Sequence, residues 1–203
     1  PCVCEEVPKK LVRVELSKGK AIEIDSTVKT SFWDADGRPV SAEEFVKKLY
    51  GDIPDFFSNE EELRKIWSLP STRKKLLEEL NEKGFSNDQL VDLRSIVHGE
   101  DSDLYDVLSH IAYHHSLVPR TTRADKARIH FNDYNPQQQE FLNFVLEQYI
   151  STGVEELDET KLKDLLTLKY HNIADAKAAL GDPRSIRDVF IGFQQHLYQA
   201  TAI

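Results

Sequence analysis

After Arg38 the chain is punctuated by helix-start and helix-stop signals with unusual regularity, and that punctuation leaves room for little except many short helices. Ser41 with Glu44, Ser58 with Glu61, and Ser86 with Gln89 match the capping box. In that motif the first side chain accepts from an orphan backbone N–H and the fourth reaches back to the cap. Ser71, Asn135 before Pro136, Asn172, and Asp182 before Pro183 read as further N-caps, with proline at the first helical position where its missing donor costs nothing. Gly84, Gly153 and Gly181 stand where left-handed C-terminal caps would close the preceding helices. These signals predict about ten helices joined by short links.

Apolar spacing agrees. Phe141, Leu142, Val145, Leu146, Tyr149 and Ile150 recur every three or four residues, as do Leu162, Leu165, Leu166, Leu168 and Tyr170. Phe190, Phe193, Leu197 and Tyr198 do the same in the last helix. Each helix therefore turns one face to a common interior.

The first forty residues differ. Leu11, Val12, Val14 and Leu16, then Ile22 and Ile24, alternate with polar residues on either side of Ser17-Lys18-Gly19-Lys20, the pattern of a hairpin. A short strand follows and ends at Asp34-Ala35-Asp36-Gly37, where Asp and Gly supply turn chemistry. A lone hairpin is marginal in water, so this one is expected to pack on the helices or complete a sheet upstream. Gly51 and Pro54 break the pattern between a strand-rich connector with one helix, residues 1–50, and a helical body, residues 51–203. The expected class is mainly α, a multi-helix bundle with a small N-terminal β-hairpin element.

Chemistry-bearing residues are few. His110 and His114, four apart, would share a helix face, and His115 adjoins them, but no Glu follows His110 as in the metalloprotease pattern and no third ligand is evident. Histidines on a helix surface explain them as well. Cys2-Val3-Cys4 offers too few partners for zinc and a spacing too short to tie distant parts of a fold together. Pro54-Asp55 with Glu159-Thr160-Lys161 superficially matches the proline, acid, acid and lysine pattern of Mg²⁺-dependent nucleases. That chemistry needs a small sheet, and the second part falls on a predicted helix. No Gly-x-x-x-x-Gly-Lys-Ser/Thr loop cradles phosphates, and no Gly-x-Ser-x-Gly elbow presents a nucleophile. No catalytic residue, cofactor ligand or metal ligand is therefore assigned.

Charge argues in the same direction. A formal net charge of -9 opposes broad attraction to DNA phosphates, which requires clustered Lys and Arg. Arg120, Arg123, Lys126 and Arg128, interrupted only by Asp125, are the best candidates for contact with DNA or an acidic partner. Arg64, Lys65, Arg73, Lys74 and Lys75 form a second basic group, offset by Glu60, Glu61, Glu62, Glu78 and Glu79. Trp33 and Trp67 suit either an interface or a core edge. No stretch approaches the roughly 20 apolar residues of a membrane span, and a cytoplasmic setting is expected. The chain begins at Pro1 and contains no Met, so a fragment lacking its upstream portion is also expected.

One string carries more specific information. Gln139-Glu140-Phe141-Leu142, Tyr149, Gly153-Val154, Leu157-Asp158, Lys161-Leu162, Lys169-Tyr170, Ala174-Asp175-Ala176, Gly181, Phe193-Gln194 and Leu197-Tyr198 closely resemble the C-terminal helical domain of the R (restriction and translocation) subunit of type I restriction enzymes. The resemblance extends back through Phe32-Trp33-Asp34-Ala35-Asp36-Gly37-Arg38 and Ser41-Ala42-Glu43-Glu44-Phe45. It implies a larger subunit in which a nuclease domain and two helicase-type motor domains lie upstream, with ATP and Mg²⁺ used there. No residue here matches those motifs. For this piece the resemblance implies a non-catalytic role, docking the motor subunit onto a methyltransferase core of modification and specificity subunits, with DNA met through the intact complex. The alternative reading is a DNA-guiding module of the same motor, working through Arg120, Arg123, Lys126 and Arg128.

Overall fold

The computed structural model describes residues 9–199. Two antiparallel pairs open the chain: β1 (Leu11–Ser17) with β2 (Lys20–Asp25), and β3 (Phe32–Trp33) with β4 (Pro39–Val40). Ten α-helices follow among the described residues: α1 (Ala42–Asp52), α2 (Glu60–Trp67), α3 (Pro70–Glu82), α4 (Asn87–Ile96), α5 (Leu104–Tyr113), α6 (Arg120–Arg128), α7 (Pro136–Thr152), α8 (Leu162–Tyr170), α9 (Ile173–Leu180) and α10 (Pro183–Gly192). The mainly helical class and the N-terminal hairpin are as the sequence predicts.

In the hairpin Val14 faces Ile22 and Val12 faces Ile24. Val14, Ile22 and Ile24 are buried, so the two-residue alternation lays one apolar face inward. The short strand ending at Trp33 has a partner the sequence did not announce, since Pro39–Val40 returns beside it. Asp34 organises that return: its carboxylate accepts from the Asp36 and Arg38 N–H groups at 2.9 and 2.8 Å.

Most helix starts fall where the caps put them. Ser41 and Glu44 close a reciprocal box, Asn135 and Gln138 another with Pro136 at the first position, and Asp182 accepts from Arg184 and Ser185 N–H groups. Two starts shift. The cap of α2 is Asn59 rather than Ser58, its carboxamide oxygen accepting from Glu62 N–H at 2.9 Å. Helix α3 opens at Pro70, with the Leu69 carbonyl accepting from Arg73 N–H at 2.9 Å, so Ser71 lies inside the first turn. Gly51 does not end α1, which continues to Asp52 before a 3-10 turn at Ile53–Asp55. The last predicted helix tightens after Gly192 into a 3-10 segment, Phe193–Leu197.

The chain packs as two compact units rather than around one interior. One unit comprises residues up to Ser58 together with Glu79–Leu117, and the other Asn59–Glu78 together with the chain from Val118 onward. In the first, Phe45 of α1 lies 4.5 Å (ring centroids) from Phe32 and meets Phe85 edge-on at 5.4 Å, and α5 packs on α1 and α4. In the second, α7 packs against α6, α8 and α9. Its stripe of Phe141, Leu142, Val145, Leu146 and Tyr149 is fully buried, each such side chain contributing about 1.5–3 kcal/mol of transfer free energy. No helix among the described residues is long and apolar enough to cross a membrane.

Candidate functional site

The four basic residues singled out in the sequence lie on α6, and that helix is short and flanked by packing. Arg120, Arg123, Ala124 and Ala127 are its buried residues, spaced i, i+3, i+4 and i+7, which is one helix face. Arg120 donates from Nε to the Ile150 carbonyl at 3.2 Å. Arg123 donates from Nη1 to the Leu197 carbonyl at 2.9 Å and lies 5.0 Å over the Tyr198 ring. Arg128 is half-buried, donating to Asn143 Oδ1 at 3.0 Å and pairing with Asp125 at 2.7 Å, and Lys126 is half-buried as well. Two of the three guanidinium groups thus bind backbone carbonyls, one near the end of α7 and one in the terminal 3-10 segment. The buried alanines were the available sequence signal, since Ala at i+4 and i+7 from Arg120 marks a close-packed face rather than a solvated one.

The second basic group divides likewise. Arg64 pairs with Glu60 at 2.9 Å and Lys65 with Glu61 at 2.7 Å. Arg73 is buried. Its guanidinium donates to the Trp67 carbonyl at 3.0 Å, the Leu157 carbonyl at 3.2 Å and Gln194 Oε1 at 3.3 Å. Gln194, fully buried, returns its Nε2 to the Leu157 and Phe190 carbonyls, both at 3.0 Å. Burial pushes the nearby Asp158 carboxyl up, but the Thr160 hydroxyl and N–H together with the Arg73 and Lys74 charges outweigh it, so its pKa is lowered overall. Sequence reasoning missed this Arg73–Gln194 cluster because nothing local marks a glutamine or arginine as internal.

The histidines do not converge. Helix α5 ends at Tyr113, and His114 takes a left-handed conformation with φ 59°, so the face shared by His110 and His114 in a continuous helix is lost. His110 Nδ1 contacts the His115 carbonyl and His115 Nδ1 the Ser109 hydroxyl, both at 2.9 Å. No group of three or more His, Cys, Asp or Glu residues suited to a metal occurs among the described residues. Cys2 and Cys4 lie outside those residues. Asp55 ends a 3-10 turn and pairs with Lys83 at 3.3 Å. Glu159-Thr160-Lys161 forms another 3-10 turn, with Glu159 held by Arg187. Neither segment is a strand, as the nuclease pattern requires.

What stays open is an apolar groove in the second unit. Leu162 and Leu166 of α8, Ile173 and Ala176 of α9, and Ile186 of α10 line a cavity of about 330 Å³. Its rim carries Glu159, already bound bidentately to Arg187, and the exposed Lys163 and Lys177. A second cavity of about 290 Å³ lies in the first unit beside the half-exposed Trp33. Both of its lysines are engaged: Lys48 pairs with Asp52 at 2.5 Å and Lys83 with Asp55. Trp67, by contrast, is fully buried.

The family resemblance rests largely on interior residues. Phe141, Leu142, Tyr149, Val154, Leu157, Phe193, Gln194, Leu197 and Tyr198 are all buried, and Lys169 pairs with Glu140 at 2.6 Å. Comparison with known proteins agrees. Residues 43–198 match the family described as EcoEI R protein C-terminal. The chain is 23% identical over 201 residues to a type I restriction enzyme EcoAI endonuclease subunit of Escherichia coli, an alignment covering 96% of this chain and 24% of that protein. The chain therefore spans about a quarter of the length of the curated relative it matches. No solved structure matches. By its interior residues and by the extent of the match, this chain belongs to the EcoEI R protein C-terminal family, the C-terminal domain of type I restriction R subunits.

Proposed function

We propose that this chain is a non-catalytic assembly domain that docks an ATP-dependent, DNA-translocating endonuclease subunit onto a methyltransferase core of modification and specificity subunits, with residues 51–203 carrying the attachment. One observation carries the reading. Among the side chains weighed for chemistry, Arg73, Arg123, Asp55 and Glu159 are engaged in internal bonds and ion pairs, while an apolar groove remains open to solvent. A helical body of net negative charge suits a basic, DNA-embracing partner, because complementary charge raises the encounter rate. The chain has no phosphate-cradling loop, and no acidic cluster suited to a metal occurs among the described residues. We assign ATP and Mg²⁺ to the rest of the subunit, and the setting to the cytoplasm. The DNA-guiding alternative is weakened by the burial of Arg120 and Arg123.

Sedimentation velocity of the chain mixed with the cognate methyltransferase core, with and without a DNA duplex, tests this. A faster species containing both proteins in the absence of DNA is expected. Separate migration, combined with salt-dependent binding of the chain to duplex, would replace docking by DNA guiding.

A further inference from the structure

We infer that the groove between α8, α9 and α10 is the socket of this domain, and that its occupant is an amphipathic helix of the partner that presents apolar anchors flanked by acidic side chains. The inference rests on the docking reading above and names the surface and the chemistry that would carry it.

The floor supplies the apolar half of the argument. Leu162 and Leu166 stand four apart on α8, Ile173 and Ala176 three apart on α9, so the walls repeat with the spacing of helix ridges. Leu162 and Ile173 are only half-buried and gain apolar contact when the groove is filled. A cavity of about 330 Å³ is at the lower end of enclosed ligand sites, which run from about 300 Å³ upward. Anchors at i, i+3 or i+4 of an inserted helix fill such a groove.

The rim supplies the polar half. The charge of Glu159 is taken up by Arg187. Lys163 and Lys177 are exposed and have no ion-pair partner among the described residues, in a chain whose net charge is -9. The groove is therefore locally positive on an acidic protein. Acidic side chains beside apolar anchors complement both features. DNA would match the lysines and gain nothing from an apolar floor, and a second copy of this chain would meet the same two lysines with its own.

The test measures affinity of the 203-residue chain for the purified methyltransferase core, for the wild type, the double variant Lys163→Glu/Lys177→Glu and the single variant Ile173→Glu. The lysines are exposed, so the double variant keeps its circular dichroism and urea midpoint. It should bind about tenfold more weakly at low salt, chiefly through slower association. Ile173→Glu should weaken binding by at least as much, chiefly through faster dissociation. Wild-type binding with both variants within about twofold overturns the groove while leaving docking intact. No wild-type binding overturns both. Loss of self-association or of duplex binding in the double variant, with core binding unchanged, assigns the groove to a second copy or to DNA and overturns the stated occupant.

Discussion

The Arg73 guanidinium lies 3.3 Å from the carboxamide oxygen of Gln194, joining positions 121 residues apart in sequence. Among the described residues Arg73 forms no ion pair with a carboxylate. Instead three oxygens, those of Trp67, Leu157 and Gln194, accept from its Nη1 and Nη2 groups. A buried cation held by fixed dipoles is expensive to disturb, because each orphaned group then carries its full desolvation cost. Arg73→Leu should therefore destabilise the protein by about 3 kcal/mol. Arg73→Lys should lose a large part of this too, since an ammonium cannot fork to the same oxygens. Urea unfolding reads both; a loss under about 0.5 kcal/mol for either would mean the cluster is not tightly bonded.

The start of α2 gives a sharper test of local structure. Asn59 is the cap, its carboxamide oxygen accepting from the backbone N–H three positions on, at Glu62. Asn59→Ala should cost about 1 kcal/mol, and Ser58→Ala less. Equal costs, or the reverse order, would restore the cap to Ser58.

That one-residue shift illustrates how much was legible. Caps and apolar stripes are local, so helix number and most helix starts could be read from Ser41, Asn135, Asn172 and Asp182. The choice between Ser58 and Asn59 could not, because adjacent residues both satisfy the motif and only the entering backbone selects one. The return strand at Pro39–Val40 was hidden because two residues carry no period. His98, His114 and His171 adopt positive φ without any of the glycine or asparagine that normally announces it. The candidate site was least legible. A run of cations reads the same whether the guanidinium groups meet solvent or, as for Arg73 and Arg123, carbonyls many residues away.

Gly84 closes α3 in a paired cap, with its N–H on the Asn81 carbonyl and Phe85 N–H on the Leu80 carbonyl at 3.0 and 2.9 Å. Its φ is +95°, and an added Cβ would stand 3.0 Å from the Ala35 backbone and side chain. Gly181 has φ +100° and open space around it. Gly181→Ala should cost about 1–3 kcal/mol from backbone strain alone, because φ +100° with ψ −156° lies outside the left-handed helical region expected of its cap and is open almost only to glycine, and Gly84→Ala more, from strain plus crowding. Comparable melting temperatures for the two variants would remove the crowding argument.

Arg123 separates the interior reading from the DNA-guiding one. Its bond to the Leu197 carbonyl and its position over Tyr198 predict that Arg123→Gln lowers stability by about 2 kcal/mol and leaves any duplex binding unchanged. Fluorescence anisotropy across a salt series, beside urea unfolding, distinguishes the two. Unchanged stability with weaker duplex binding and a salt slope reduced by about one would return Arg123 to the DNA surface.

His130 and His196 stack with ring centroids 4.2 Å apart and planes 13° from parallel. Burial lowers the His196 pKa, the neighbouring His130 lowers it further, and Asp133 opposes both. Folded His196 therefore holds a proton less tightly than the unfolded chain, and unfolding takes up protons at pH values between the two. The stabilisation from the neutral ring is complete above the unfolded value of about 6.5 and is lost as pH falls from there through the folded value. Urea midpoints should accordingly decline as the solution is acidified below about 6.5. His196→Gln should flatten that decline. His130→Gln should only reduce it, because burial, the larger cause, remains. Ring-proton NMR titration gives the direct reading, and a His196 midpoint at or above the ordinary histidine value would show that the stack does not disfavour the charged ring.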